Sequence, residues 1–126
     1  MFVKNKRVLL VEDDAMIRDA YEEEFKHSGF LVDVAMTADE CFVSLKAHRP
    51  DIILLDIFLP KESGLEIIDK IKQDALYADI PIIVITNIFV DREDLARKGV
   101  TYSLIKSEVT PGQITEKMVD ILKAKS

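Results

Sequence analysis

Between Asp51 and Asp56 the chain reads Ile52-Ile53-Leu54-Leu55, four apolar residues in a row with an acid at either end. An unbroken apolar run this short predicts a strand buried on both faces, the pattern of a central strand in a parallel sheet. Successive parallel strands in turn require a crossover, usually a helix. Asp56 then falls at the carboxyl end of the strand, where open α/β sheets bind their ligands. Pro60 and Gly64 shape the loop beyond it. By itself, Asp56 suits a cap of the next helix as well as a functional carboxylate.

The rest of the chain supplies the neighbours such a strand needs. Arg7–Val11 is a short apolar run ended by Glu12-Asp13-Asp14. The spacing next predicts a helix with Ile17, Ala20, Tyr21 and Phe25 inward and Arg18, Glu22, Glu23 and Lys26 outward, stopped by Gly29. Leu31–Ala35 reads as a second strand. Thr37 and Glu40 form a capping-box signature for a helix ending near His48-Arg49-Pro50. After a third strand over Asp51–Asp56, Gly64 leads into a helix with Leu65, Ile68 and Ile71 inward. Pro81 opens a fourth strand, Ile82–Thr86, and Asp91–Lys98 has room only for a short helix closed by Gly99. Tyr102–Ile105 is a fifth strand that ends at Lys106. Thr110, Pro111 and Gln113 cap a last helix with Ile114, Met118, Ile121 and Leu122 on one face.

Strand and helix thus alternate five times, which predicts an α/β fold: a doubly wound parallel sheet of flavodoxin-like (βα)5 type. Its expected strand order is 2-1-3-4-5, with the switch point between strands 1 and 3. No linker or repeat interrupts the pattern, so residues 1–126 read as a single domain with no output domain attached.

Charge narrows the function. With 17 basic and 23 acidic side chains the net charge is −6, which disfavours direct nucleic-acid binding because phosphate contacts need clustered Lys and Arg. A single cysteine, Cys41, excludes an internal disulfide and suits a reducing compartment; its spacing with Ala38, Phe42 and Leu45 makes it a packing residue. The basic start, Met1-Phe2-Val3-Lys4-Asn5-Lys6, is followed by too short an apolar run for a signal peptide. No stretch is long enough to span a membrane. A cytoplasmic location is expected.

Four of the expected strands end in chemically useful residues: Glu12 and Asp13, then Asp56, Thr86 and Lys106. Singly, each has an ordinary explanation as a cap, a turn former or surface charge. In the order proposed, all five converge on one rim. Three converging carboxylates repel, so protons or a cation must compensate. A hard divalent ion with oxygen ligands, Mg²⁺, answers this, and the lack of accompanying histidine or cysteine disfavours zinc. His27 and His48 read as surface or packing residues. With a metal present, Asp56 is able to attack a phosphoryl group while Lys106 neutralises its oxygens and Thr86 supplies a hydroxyl.

These residues resemble the receiver domain of two-component response regulators, of the CheY-like type, over essentially the whole chain. The motifs that carry the resemblance are Val11-Glu12-Asp13-Asp14, Asp56-Ile57-Phe58-Leu59-Pro60 with Gly64, Ile85-Thr86 and Ile105-Lys106. The resemblance implies that Glu12, Asp13, Asp56 and the backbone carbonyl of Phe58 bind Mg²⁺. It implies that Asp56 accepts phosphate from a histidine kinase or histidine phosphotransfer protein. Lys106 would contact the phosphoryl group, and Thr86 would turn toward it as part of a switch read by a downstream protein effector, with homodimerisation open. Asp14, one place beyond the acidic pair, is expected to cap the first helix.

Four features depart from the family's usual pattern. Ser103 stands three places before Lys106, where an aromatic residue is usual, and Tyr102 falls on the opposite face of the strand. Ser107 replaces the usual proline after Lys106. Thr86 and Lys106 lie 20 positions apart, about two fewer than is typical. Asn87 follows Thr86 where a small residue is common, and with Phe58 it would crowd the phosphoryl site. Phe58 is expected to shield the acyl phosphate from water. Met16 and Ile17 are candidates for a kinase-docking patch, against a packing role favoured for Ile17.

Three rival readings remain. A pseudo-receiver that binds without being phosphorylated would have lost Asp56, Lys106 or the acidic pair. An aspartate-nucleophile phosphatase would carry a second aspartate where Phe58 stands. A flavodoxin would need a Ser/Thr/Gly-rich phosphate loop where Glu12-Asp13-Asp14 occurs.

Overall fold

The apolar runs pair side by side as β1 (Arg7–Val11), β2 (Leu31–Ala35), β3 (Ile52–Asp56), β4 (Ile82–Thr86) and β5 (Tyr102–Ile105). This is a computed structural model, and it describes residues 3–125. Met1 and Phe2 of the basic start, and Ser126 at the close, lie outside the described residues. All neighbouring strands are parallel, in the expected order β2-β1-β3-β4-β5.

Strand period 2 divides the apolar residues between two cores. Val8, Leu10, Ile52, Leu54, Ile83 and Ile85 face α1 (Ala15–His27) and α5 (Pro111–Lys125), where Tyr21, Phe25 and Met118 meet them. Leu9, Val11, Ile53, Leu55, Ile82 and Val84 face α2 (Ala38–Ala47), α3 (Gly64–Gln73) and α4 (Arg92–Arg97). β3 and β4 are buried along their whole length, as a strand with helices on both sides must be. Each such side chain stabilises the fold by about 1.5–3 kcal/mol relative to exposure. Cys41 is fully buried in the second core, and its thiol is pushed up to about 12 by burial. No helix among the described residues is long and apolar enough to cross a membrane.

Helix ends follow local chemistry closely. Asp14 Oδ1 accepts from Ile17 N–H at 3.1 Å, the expected cap. Thr110 and Gln113 exchange hydrogen bonds of 3.1 and 2.8 Å at the start of α5, a complete capping box. At α2 the box is shifted: Thr37 accepts from Glu40 N–H, but Glu40 reaches back to Met36 N–H. Gly29 takes φ +107° after α1, a value side chains rarely allow.

Several expectations are corrected. Asp51 precedes β3 rather than opening it, because its carboxylate accepts the Arg7 N–H at 2.8 Å. Ala20 is exposed, since α1 and α5 leave a gap of about 480 Å³ that it lines with Glu23, Glu24, Pro111 and Gly112. Ile67 joins Ile68 and Ile71 as the buried stripe of α3, while Leu65 is half-buried at the edge of a cavity between α3 and α4. The segment after β5 winds into a 3₁₀ turn, Lys106–Glu108.

Candidate functional site

Parallel register brings four strand ends to one level. Val11 pairs with Leu55, Asp56 with Ile85, and Thr86 with Ile105. Glu12 and Asp13 therefore emerge beside Asp56, and Lys106 emerges beside Thr86. Carboxylate oxygens of Glu12, Asp13 and Asp56 lie within 4.8 Å of one another. Lys106 Nζ bridges two of them, 2.7 Å from Asp56 Oδ2 and 2.5 Å from Glu12 Oε1. Phe58 N–H donates to Asp56 Oδ1 at 2.9 Å, so both oxygens of Asp56 are held. The loop after Asp56 closes through the Phe58–Ser63 bridge and a 2.9 Å bond from Gly64 N–H to the Ile57 carbonyl. Gly64 is required there, because a Cβ would stand 2.5 Å from Ile57 Cα and 2.9 Å from the Asp56 carbonyl oxygen.

The charges are unbalanced and dry. Side chains of Glu12, Asp56 and Lys106 are 1%, 6% and 9% exposed. Burial pushes the Glu12 carboxyl above its ordinary range; Lys106 and the Asp14 N–H pull it back, and the Asp56 charge adds to the rise. Burial acts to lower Lys106, but its bonds and attraction to Asp56 and Glu12 outweigh it and raise the ammonium's pKa. Burial also raises the nearby Tyr21 hydroxyl. Glu12 Oε2 accepts from Asp14 N–H at 3.2 Å, while the buried Oε1 touches the ammonium without a well-directed hydrogen bond. One ammonium against three carboxylates leaves negative charge uncompensated, and the all-oxygen donor set fits a hard divalent ion.

Thr86 is 1% exposed, and its Oγ1 accepts the Ile88 N–H at 3.3 Å. The Phe58 ring is 52% exposed, and Asn87 points to solvent, lining a cavity with Met16, Ile17, Tyr21 and Lys106. Met16 is 83% exposed, while Ile17 is half-buried against the α1/α5 core, in line with the packing role favoured for it. Tyr102 packs on the α1/α5 side, its ring 4.2 Å from Lys117 Nζ and 5.3 Å from the Arg92 guanidinium carbon. Ser103 is buried, paired in register with Val84. His27 and His48 are exposed and away from the rim.

Two residues near the rim escaped the sequence reading. Arg18, expected to face outward, turns back to the carbonyls of Glu12 and Asp13. Glu62 accepts the Ala38 N–H at 2.5 Å, tying the loop after β3 to the start of α2. Neither carries a local signal, since a lone charge on a helix or loop reads as surface.

A family profile described as "Response regulator receiver domain" matches residues 8–118. A probable C4-dicarboxylate response regulator, DctR, of Halalkalibacterium halodurans is 38% identical over 102 residues, 79% of this chain and 44% of that protein. The phosphate regulon transcriptional regulatory protein PhoB of Pseudomonas aeruginosa is 36% identical over 81 residues, 64% of this chain and 35% of that protein. The chain thus spans less than half the length of these curated relatives. Among solved structures, the chemotaxis response regulator CheY4 of Vibrio cholerae superposes with a TM-score of 0.85 at 22% identity, covering 94% of this chain and 99% of its own. A CheY-like receiver domain protein of Methanospirillum hungatei gives 0.84 at 27% identity, covering 96% of each chain.

Proposed function

Because the chain belongs to the response regulator receiver domain family of two-component signalling, we propose that Asp56 accepts a phosphoryl group from a phosphohistidine on a sensor kinase or phosphotransfer protein. The observation that carries this reading is the contact of Lys106 Nζ with both Asp56 and Glu12 inside a cluster of three carboxylates. Glu12, Asp13, Asp56 and the Phe58 carbonyl would hold Mg²⁺, which when bound neutralises negative charge on the transferring oxygens.

The chain's own residues do the rest. Phe58 N–H and Lys106 fix the Asp56 carboxylate, so its attack needs little reorganisation. An Asp56 oxygen forms a bond to phosphorus as the bond from phosphorus to the donor imidazole nitrogen breaks, and the electron pair stays with the imidazole. The ammonium of Lys106 then binds an oxygen of the new acyl phosphate, and the Thr86 hydroxyl donates to another. The added charge of roughly −1.5 to −2 favours whichever loop arrangement brings Thr86 and Lys106 closest. A downstream protein reads that change. With a net charge of −6, the domain signals by protein contact rather than by gripping nucleic acid itself.

Intact mass after incubation with Mg²⁺ and acetyl phosphate tests the reading, with Asp56→Ala beside the wild type. A gain of one phosphoryl group in the wild type alone is expected. No gain in the wild type, with Mg²⁺ still bound, would leave a binding module without phosphoacceptor chemistry.

A further inference from the structure

We propose that Arg18 is a positioning residue of the cation site, holding the loop that aims Glu12 and Asp13. The inference rests on the reading of the acidic cluster given above. β1 ends at Val11, so the carbonyls of Glu12 and Asp13 have left the strand ladder and need donors from elsewhere. Arg18 Nη1 reaches both, 3.4 Å from the Glu12 oxygen and 3.3 Å from the Asp13 oxygen. Its backbone N–H is anchored on the Asp14 carbonyl at 2.9 Å, so the side chain leaves a fixed point and turns back over the loop.

The peptide joining Glu12 to Asp13 sets the directions in which their carboxylates leave the chain. Other bonds in the loop act on different atoms. Glu12 N–H donates to the Ala35 carbonyl at 3.0 Å, Asp14 N–H to Glu12 Oε2, and Ile17 N–H to Asp14 Oδ1. Arg18 is the group that holds this peptide by its carbonyl side. The guanidinium is suited to this, because it is planar, always charged and rich in donors. A lysine in its place keeps the charge but puts it on a flexible stem, without the rigid plane that fixes Nη1 between the two carbonyls. Outer contacts that orient metal ligands typically change metal affinity 10–100-fold when removed, and Arg18 occupies such a place behind two of the three carboxylates.

Isothermal titration calorimetry of the whole chain with Mg²⁺ measures the effect directly; the chain has no tryptophan to serve as an optical reporter. Arg18→Met is expected to raise the Mg²⁺ dissociation constant about tenfold or more. Phosphoryl uptake from acetyl phosphate at saturating Mg²⁺ should stay within about twofold of the wild type, because the reacting groups are untouched. Arg18→Lys should fall between the two, and it carries the test if Arg18→Met does not fold. A folded Arg18→Met that binds Mg²⁺ as the wild type does would overturn this inference alone. So would an Arg18→Lys of full affinity, which would show that the planar guanidinium is not what holds the loop. A wild type that takes up no Mg²⁺ would overturn the site reading and this inference with it.

Discussion

The two ends of the sheet follow opposite electrostatic plans. At the amino-terminal end, charges meet opposite charges or backbone groups near water. Arg7 pairs with Asp33 at 2.9 Å and Arg49 with Asp79 at 2.7 Å, while Lys72 and Lys125 donate to the carbonyls of Ala78 and Asp79. At the carboxyl-terminal end, three carboxylates share one ammonium, and Glu12 and Asp56 are buried. Pairs of the first kind add little each and cost little. A cluster of the second kind holds uncompensated negative charge in a poorly hydrated place, which weakens the fold and favours a cation beside it. The two plans stand one strand length apart, and substitutions at the two ends should behave differently.

The largest effect is expected from Lys106→Met. Removing the ammonium leaves Glu12 and Asp56 without their cation and should cost about 3–5 kcal/mol in metal-free urea denaturation. Mg²⁺ should return part of it by binding the folded state. So should acid, since Glu12 already holds its proton above the ordinary carboxylate range. On the alkaline side the sign reverses. The Lys106 pKa is raised by folding, so its contribution is full below the ordinary lysine value and lost as pH rises through the raised one; the variant should lack that loss. A Lys106→Met protein as stable as the wild type would end the contrast between the two sheet ends.

A smaller effect concerns lifetime. Phe58→Asn replaces a half-exposed ring beside the acceptor, so stability should change by less than about 1 kcal/mol. The phosphorylated form, followed by mass over time, should lose its group several-fold faster. Equal decay rates would remove any shielding role from the ring. The smallest effect belongs to the opposite end: Arg49→Ala should cost no more than about 1 kcal/mol and leave phosphoryl uptake unchanged.

How much of this was legible in the sequence follows from the range of the interactions. The four apolar residues of β3 and the four of β1, Val8–Val11, announce themselves by composition, and parallel pairing then forces their ends together, so the rim of Glu12, Asp13, Asp56, Thr86 and Lys106 was readable from the sequence. Asp14 and the Thr110–Gln113 pair act over three residues and were equally visible. Arg18 was misplaced because its pattern on α1 is that of a solvent-facing charge, whereas its partners lie on the preceding loop. Ala20 and Leu65 depended on how closely α1 approaches α5 and α3 approaches α4, distances that helical periodicity does not encode. The bridge from Glu62 to Ala38 joins residues 24 apart in sequence and leaves no local trace.

The hydroxyl of Thr86 has a further consequence. Its oxygen is already occupied by the N–H of Ile88, at the root of a loop that exposes Ile88 by 53% and Phe89 by 83%. A Thr86 side chain that rotates toward Asp56 would carry its oxygen away from that N–H. News of phosphorylation would then leave the pocket as a tether released, not as a contact made. On the reading proposed above, a listening protein would sense first the new freedom of two greasy side chains.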